Sequence, residues 1–376
     1  MIRQINMLMI GAAGRKAGKT EFACEVLRRY AKINPLVGVK VTAVTNPGEC
    51  CPRGGEGCGV CGGLTGPYLV SEEKSVNSDK DTSRLLAAGA SKVLWLRSLR
   101  ASLSEALIAL LGDMPAGTGI VCESNSSRLE LEPGLFLVLK QKGQTSPKSS
   151  CRKVIHLADR ICEFDGTSWD LPPKRLVFME GRWSIRPEAG AVILAGGKSS
   201  RMGQDKSLMR LEGQTLIERI VQQLQPILDD VVIGANDPEN FRFLKRKVIA
   251  DHVPDQGPLM GIVSCLSESR FDLNFVTGCD IPEINQGVIE KMITEAPGFD
   301  VVMPRAGDGC IEPLFAIYRR SVLEPARATL SEGKRRIRDL LPRIRAKYVE
   351  MPEGDWYRNL NTMEDYEAEL RRAKSI

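Results

Sequence analysis

Twice in this chain a short apolar run breaks into a glycine-rich loop that opens straight into an amphipathic stretch. MLMIGAAGRKAGKT does so at residues 7–20, and AVILAGGKSSRMGQDK at residues 191–206. A strand that delivers its chain through such a loop into a helix is the opening unit of an α/β layer with a mostly parallel sheet. The rest of the sequence keeps this alternation. PLVGVKVTAV, KVLWLRS, GIVCES and LFLVLK read as further strands of the first half; DVVIGAN, KVIA, LNFVTGC, DVVMPR, LFAIYR and KYVEM read as those of the second. TLIERIVQQLQPIL and DLLPRIRA carry apolar residues at helical spacing. The two openings imply two α/β domains, placed at residues 1–188 and 189–376. The expected seam is WDLPPKRLVFMEGRWSIRPEAG (residues 169–190), rich in Pro and Gly and without helical periodicity; QKGQTSPKSSCRK (residues 141–153) reads as a loop of the first domain.

Composition narrows the function classes. Two domains suit 376 residues, and 43% hydrophobic content is ample for packed cores. No segment is long and apolar enough to span a bilayer. The opening MIRQINMLMIGAAG runs into a glycine loop and not into a small-residue cleavage site, so a cytoplasmic protein is expected. A net charge of +5 calls for no nucleic-acid partner and fits a protein that handles anionic small molecules. Eleven cysteines without an export signal point to reduced thiols or a metal site, not to disulfides. Only His156 and His252 are present, far apart, which argues against a histidine-rich metal site.

The second glycine loop is built for phosphate. Glycine lets the backbone approach an anion closely, so that N–H groups converge on its oxygens, and Arg201 and Lys206 add positive charge where a polyphosphate would lie. The bland alternative is a glycine turn with surface cations. Further on, Gly257, Pro258 and Gly261 precede an apolar helix start and could wall a base or ribose. FVTGCDIPEI sets Asp280 at the end of an apolar strand, where ligands of open α/β sheets sit. An acid there can hold Mg²⁺ or simply cap a helix. Lys334, Arg335, Arg336 and Arg338 form either a solvated helix face or a dock for a phosphorylated acceptor. Asn359 and Asn361 point the same way if their segment is extended and could orient a metal-bound water or phosphate; Asn361 could instead cap a helix starting near Met363.

The string LAGGKSSRMGQDKSLMRLEG (residues 194–213) and the order of elements after it resemble the MobA family of molybdenum cofactor guanylyltransferases, over roughly residues 190–370, and more distantly the sugar-phosphate nucleotidylyltransferases. The resemblance implies a Rossmann-like, GT-A-like nucleotidyltransferase domain. It implies that Leu194, Ala195, Gly196, Gly197 and Lys206 bind GTP, with Asp251 and Asp280 at the nucleotide and Mg²⁺ site. Catalysis would rest on Lys206, Arg201 and Asp280, with Asn359 and Asn361 as further metal candidates. Met363 stands where the family usually has proline, and LAGG, in place of the LAAG of cytidylyl relatives, favours guanine. The implied reaction is attack by the terminal phosphate of molybdopterin on the α-phosphorus of GTP, releasing pyrophosphate.

In the first half, AGRKAGKT (residues 13–20) fits the phosphate-binding P-loop pattern if Ala13 replaces its first glycine. Gly14 and Gly18 keep the loop supple, Lys19 would reach the β- and γ-phosphates, and Thr20 would ligate Mg²⁺. The helix that follows carries Phe22, Val26, Leu27 and Tyr30 as one apolar stripe. DTSRLLAAGASKVLWL, GIVCESNS and ADRICEFDG resemble the GTP-binding MobB family, to about residue 165. That implies a P-loop NTPase-like fold, with Glu123 as a second acid of its site and Asp81 and Arg84 at matching positions. Residues 50–61 depart from it: Cys50, Cys51, Cys58 and Cys61 cluster where a histidine-bearing loop is expected. Four thiolates suit Zn²⁺ or an iron–sulfur cluster. The rivals are a redox pair at Cys58 and Cys61 and a glycine-rich loop whose cysteines merely cluster.

The expectation is therefore a Mg²⁺-dependent nucleotidyltransferase acting on GTP and molybdopterin, fused to a GTP-binding accessory domain. Molybdoenzymes or cofactor-insertion proteins are the expected protein partners, and self-association stays open. The alternatives are a transferase for CTP or a sugar phosphate, and a GTP-switched adapter that delivers cofactor.

Overall fold

The computed structural model describes residues 1–31, 33–44, 64, 66–115, 117–195, 206–306, 309–351, 359–360 and 362–373. It divides the chain into two compact units, Met1–Ile185 and Arg186–Ile376.

The first unit runs β1 (Ile2–Ala12), α1 (Lys19–Tyr30), β2 (Val37–Val44), β3 (Tyr68–Glu72), α2 (Asp81–Ala87), β4 (Lys92–Leu99), α3 (Leu103–Gly112), β5 (Ile120–Glu123), β6 (Leu131–Gln141), α4 (Ser149–Arg152), β7 (Arg160–Phe164), β8 (Leu176–Met179) and β9 (Arg182–Ile185). Seven strands form one sheet in the order β3-β4-β2-β5-β1-β6-β7, parallel except for β3. Burial explains the sequence of its central strand. β1 alternates over its first residues and is then buried without a break from Asn6 to Ala12, because two layers cover it. One layer places Phe22, Val26, Leu27 and Tyr30 of α1 against Leu8, Ile10 and Val121; the other places Leu103, Leu107 and Leu110 of α3 against Met7, Met9 and Phe136.

The second unit runs β10 (Ala189–Leu194), β11 (Arg210–Leu211), β12 (Gln214–Thr215), α5 (Leu216–Leu224), β13 (Asp230–Gly234), β14 (Val248–Ile249), α6 (Pro258–Glu268), β15 (Leu273–Gly278), α7 (Gln286–Thr294), β16 (Val301–Arg305), β17 (Phe315–Arg319), α8 (Leu323–Ser331), β18 (Ala346–Glu350) and α9 (Met363–Ala373). Its sheet has the order β14-β13-β10-β15-β17-β16-β18. Strands β14, β13, β10 and β15 are parallel, and β17 reverses the direction against β15. Helices α5 and α7 cover one face and α6 and α8 the other. The carboxyl ends of the four parallel strands therefore open on one edge, where residues 194–195, 234–236, 251 and 278–280 gather.

Three expectations change. The stretch at 169–190 is no plain linker, since Leu176–Met179 and Arg182–Ile185 form an antiparallel hairpin. Its Phe178 and Trp183 are buried in the first unit's core, with Trp183 edge-on to Tyr30. Residues 141–153 are not loop throughout: Lys148 N donates to Ala13 O at 2.7 Å and a helical turn follows. DLLPRIRA forms 3-10 turns at Ile337–Asp339 and Leu341–Arg343 instead of an α-helix, because Pro342 cannot sit inside one. Lys334, Arg335 and Arg336 lie in an irregular stretch ahead of the first turn and Arg338 lies within it, so the four share no helical face. Among the described residues no helix is long and apolar enough to cross a membrane.

Candidate active site

At the carboxyl edge of the second sheet, β15 ends in Gly278 and the chain turns through Cys279 to Asp280. Three segments distant in sequence meet there. Leu360 N donates to Asp280 O at 2.8 Å, and Lys206 Nζ donates to Leu360 O at 2.9 Å. Turned so that its nitrogen faces the carboxylate, the Asn359 amide donates to Asp280 Oδ1 at 3.1 Å and Oδ2 at 2.7 Å. Burial raises the Asp280 carboxyl above its ordinary range, against the opposing pull of its own backbone N–H and the Lys206 ammonium. A hard oxygen donor at a strand end suits a divalent cation such as Mg²⁺.

The neighbouring strand ends supply the rest of the edge. Ala195 N donates to Gly234 O at 2.9 Å, which fixes the exit of β10 ahead of the glycine loop. Asp251, beyond β14, is locked to Asn236, beyond β13: Asn236 Nδ2 donates to Asp251 Oδ2 at 3.0 Å and Asp251 N donates to Asn236 Oδ1 at 2.8 Å. A Cβ on Gly261 of α6 would lie 3.4 Å from Asp251 Oδ1, which sets that helix's first turns beside the carboxylate. Cys279 packs on the core.

In the first unit, Gly18 caps α1 at φ 71°, a left-handed conformation that favours glycine, and Trp169 lies 2.7 Å from where its Cβ would be. Beyond it, Lys19 Nζ lies 3.3 Å from Glu123 Oε2 at the end of β5. That is an ion pair without hydrogen-bond geometry, and neither Glu123 oxygen accepts a hydrogen bond among the described residues although the side chain is fully buried. Buried carboxylates are ordinarily satisfied. Asn125 clasps the loop entrance, accepting from Ala12 N at 2.8 Å and donating to Ala12 O at 3.0 Å. Gly14 lies against the Gln144 amide, and the Thr20 side chain neighbours the Asp81 carboxylate.

The structure thus brings Lys206, Asp280 and Asn359 together, sets Leu194, Ala195 and Asp251 along the same edge, and joins Lys19 and Thr20 to Glu123 and Asp81. Gly196, Gly197, Arg201, Asn361, Cys50, Cys51, Cys58 and Cys61 lie outside the described residues. Thr362 caps α9, accepting from Asp365 N at 3.1 Å while its own N–H donates to Asp365 Oδ2 at 2.8 Å. Sequence reading passed over Asn236, Asn125, Lys40 and Leu360. Asn236 was open to discovery as a polar residue just past a strand end; Leu360 acts through its backbone and leaves no trace in residue type. Among the described residues no group of three or more His, Cys, Asp or Glu side chains is placed to hold a metal ion.

Residues 191–348 match the family model described as the MobA-like NTP transferase domain. The chain is similar to a probable molybdenum cofactor guanylyltransferase of Carboxydothermus hydrogenoformans, 36% identical over 186 residues that cover 48% of this chain and 93% of that protein. It is similar to another of that description from Methanosarcina mazei, 31% identical and covering 52% and 96% respectively. A molybdenum cofactor guanylyltransferase of Syntrophotalea carbinolica is 33% identical, covering 50% and 92%.

Proposed function

Because the chain belongs, through its second unit, to the MobA-like NTP transferases and is a nucleotidyltransferase, we propose that it transfers GMP from GTP to the terminal phosphate of molybdopterin. The observation that carries this reading is the convergence of Lys206, Asp280 and residues 359–360 beyond the carboxyl end of β15. In the reaction an acceptor phosphate oxygen bonds to the α-phosphorus of GTP as the bond from that phosphorus to the bridging oxygen breaks, and pyrophosphate departs with that oxygen. No protein nucleophile is needed, so catalysis consists of positioning and charge stabilisation.

The backbone of residues 194–197 would hold the nucleotide phosphates, and Asp251, oriented by Asn236, would face the nucleoside. Lys206 and Arg201 would offset charge on the α-phosphate and the leaving pyrophosphate. Asp280, with Asn359 beside it, is the proposed holder of Mg²⁺, which supplies neutralisation of the phosphate charge when bound. Leu360 O would aim the Lys206 ammonium by accepting a hydrogen bond from it. The first unit is proposed to bind a second GTP at Gly14, Gly18, Lys19 and Thr20, with Glu123 as the acid of that site.

The test is turnover by the full chain with Mg²⁺ and molybdopterin, GTP and CTP competing, with pyrophosphate and dinucleotide measured. GTP-dependent product is expected, and Asp280→Ala should lower it at least about 100-fold while the circular dichroism spectrum stays unchanged. Preference for CTP, or near-normal turnover in that variant, would refute the assignment.

A further inference from the structure

Lys40 is a buried charged side chain of the first unit's sheet that the nucleotide reading leaves without a role. It lies on β2, opposite Glu123 of β5 in the parallel register, and its side chain is only 11% exposed. Burying an ammonium is costly unless it is paired. Its partner is Asp81, the first residue of α2, to which Lys40 Nζ donates a hydrogen bond. Burial would raise the Asp81 carboxyl; its bond to Lys40 and the neighbouring Lys40, Lys19 and Thr20 outweigh it and hold Asp81 below its ordinary range. A second pair, Arg84 with Glu21 at 2.5 Å, ties α2 to α1.

Lys19, Thr20, Lys40, Asp81 and Glu123 are therefore one cluster in which two ammonium groups face two carboxylates. Both groups the phosphate loop would offer to a nucleotide, the Lys19 ammonium and the Thr20 hydroxyl, have carboxylates as neighbours. Without Lys40, the Asp81 charge would fall on Lys19 and Thr20 alone and hold them. With Lys40, that charge is met from the side of the sheet. We propose that Lys40 is a positioning residue of the first unit's nucleotide site: by pairing with Asp81 it leaves Lys19 and Thr20 available to a nucleoside triphosphate complexed with a divalent cation. This rests on the reading of residues 13–20 as a phosphate loop. The charge count also selects the form of the ligand. A bare triphosphate sets its own negative charge beside two carboxylates, whereas the cation complex brings its compensation with it.

The experiment is equilibrium binding of a non-hydrolysable GTP analogue to the full chain, with magnesium and with chelator, read as nucleotides bound per chain and as affinity. Lys19→Ala identifies the first unit's site as the one it removes. At that site Lys40→Met is expected to weaken magnesium-dependent binding at least about tenfold and Lys40→Arg no more than about threefold. Lys40→Met with Asp81→Asn should regain most of the loss, since it removes the charge Lys40 counters. Melting curves without nucleotide check that each variant is folded. Unchanged affinity in Lys40→Met, or a double variant as weak as Lys40→Met, would overturn the proposal. If Lys19→Ala removes no site, the phosphate-loop reading falls and this inference with it; a lost site beside an indifferent Lys40→Met overturns this inference alone.

Discussion

Gly278 is glycine because of what stands two residues later. A Cβ at that position would lie 2.5 Å from Asp280 Oδ1, so only a residue without a side chain lets the carboxylate fold back over the end of β15. Gly278→Ala should therefore shift the carboxylate more than it disturbs the core, lowering transfer at least about tenfold at a stability cost of about 1 kcal/mol or less. Turnover and thermal melting on one preparation check this, and unimpaired turnover would show that transfer does not need the carboxylate where it lies. The described cysteines are also decided residue by residue. Burial pushes the Cys24 thiol up to about 11 and those of Cys122, Cys162 and Cys265 up to about 12, so these are neutral packing groups at physiological pH. Asp280 was legible because a strand-end acid has a recognisable place. Lys40 was hidden, since one lysine inside VGVKVTAV looks like an outward-facing strand residue until α2 is folded against it.

Helix α5 shows how far a sequence specifies an element. Its stripe of Leu216, Ile217, Ile220, Val221 and Leu224 is buried, and its start is a complete capping box: Glu218 N donates to Thr215 Oγ1 at 3.3 Å and Thr215 N donates to Glu218 Oε2 at 2.8 Å. Thr215→Ala should cost about 1 kcal/mol. The bonds from Thr215 hold the Glu218 carboxyl below its ordinary value, so the box's contribution is complete above the usual glutamate range and is lost as pH falls through the lowered folded value. The stability gap between the protein and Glu218→Gln is thus expected at pH 7 and should close progressively below about pH 4.5; a gap constant down to pH 3 would contradict it. Strands such as AVILAG and LNFVTGC were equally legible, being continuous apolar runs that two helical layers must cover. The β8–β9 hairpin was not, because its Pro and Gly made it read as a seam, and only tertiary packing around Tyr30 reveals that Phe178 and Trp183 are core. DLLPRIRA misled in the opposite sense: its apolar spacing is helical, but Pro342 overrides it.

Each unit packs a hydrophobic core on both faces of its sheet, and the second begins with a buried ion pair. Arg186, fully buried, meets Asp229 Oδ2 at 3.2 Å, donates to Pro187 O at 2.9 Å and also reaches Ile227 O, while Ala189 N donates to the same carboxylate at 2.9 Å. Removing one partner of a buried pair strands the other, so Arg186→Met should destabilise the second unit by about 3 kcal/mol, lowering its melting transition by roughly 6–12 °C. Differential scanning calorimetry of the full chain reads this directly; a loss spread equally over both units would contradict it. The meeting of Lys206, Asp280 and residues 359–360 has a consequence in time as well as in space. During synthesis the glycine loop and the acid emerge early, but the carbonyl that aims the lysine and the amide that faces the acid are made some 80 residues after Asp280. On the proposed reading, a chain still on the ribosome would hold the strand ends without a finished centre, so transfer would wait until residues 359–360 have emerged.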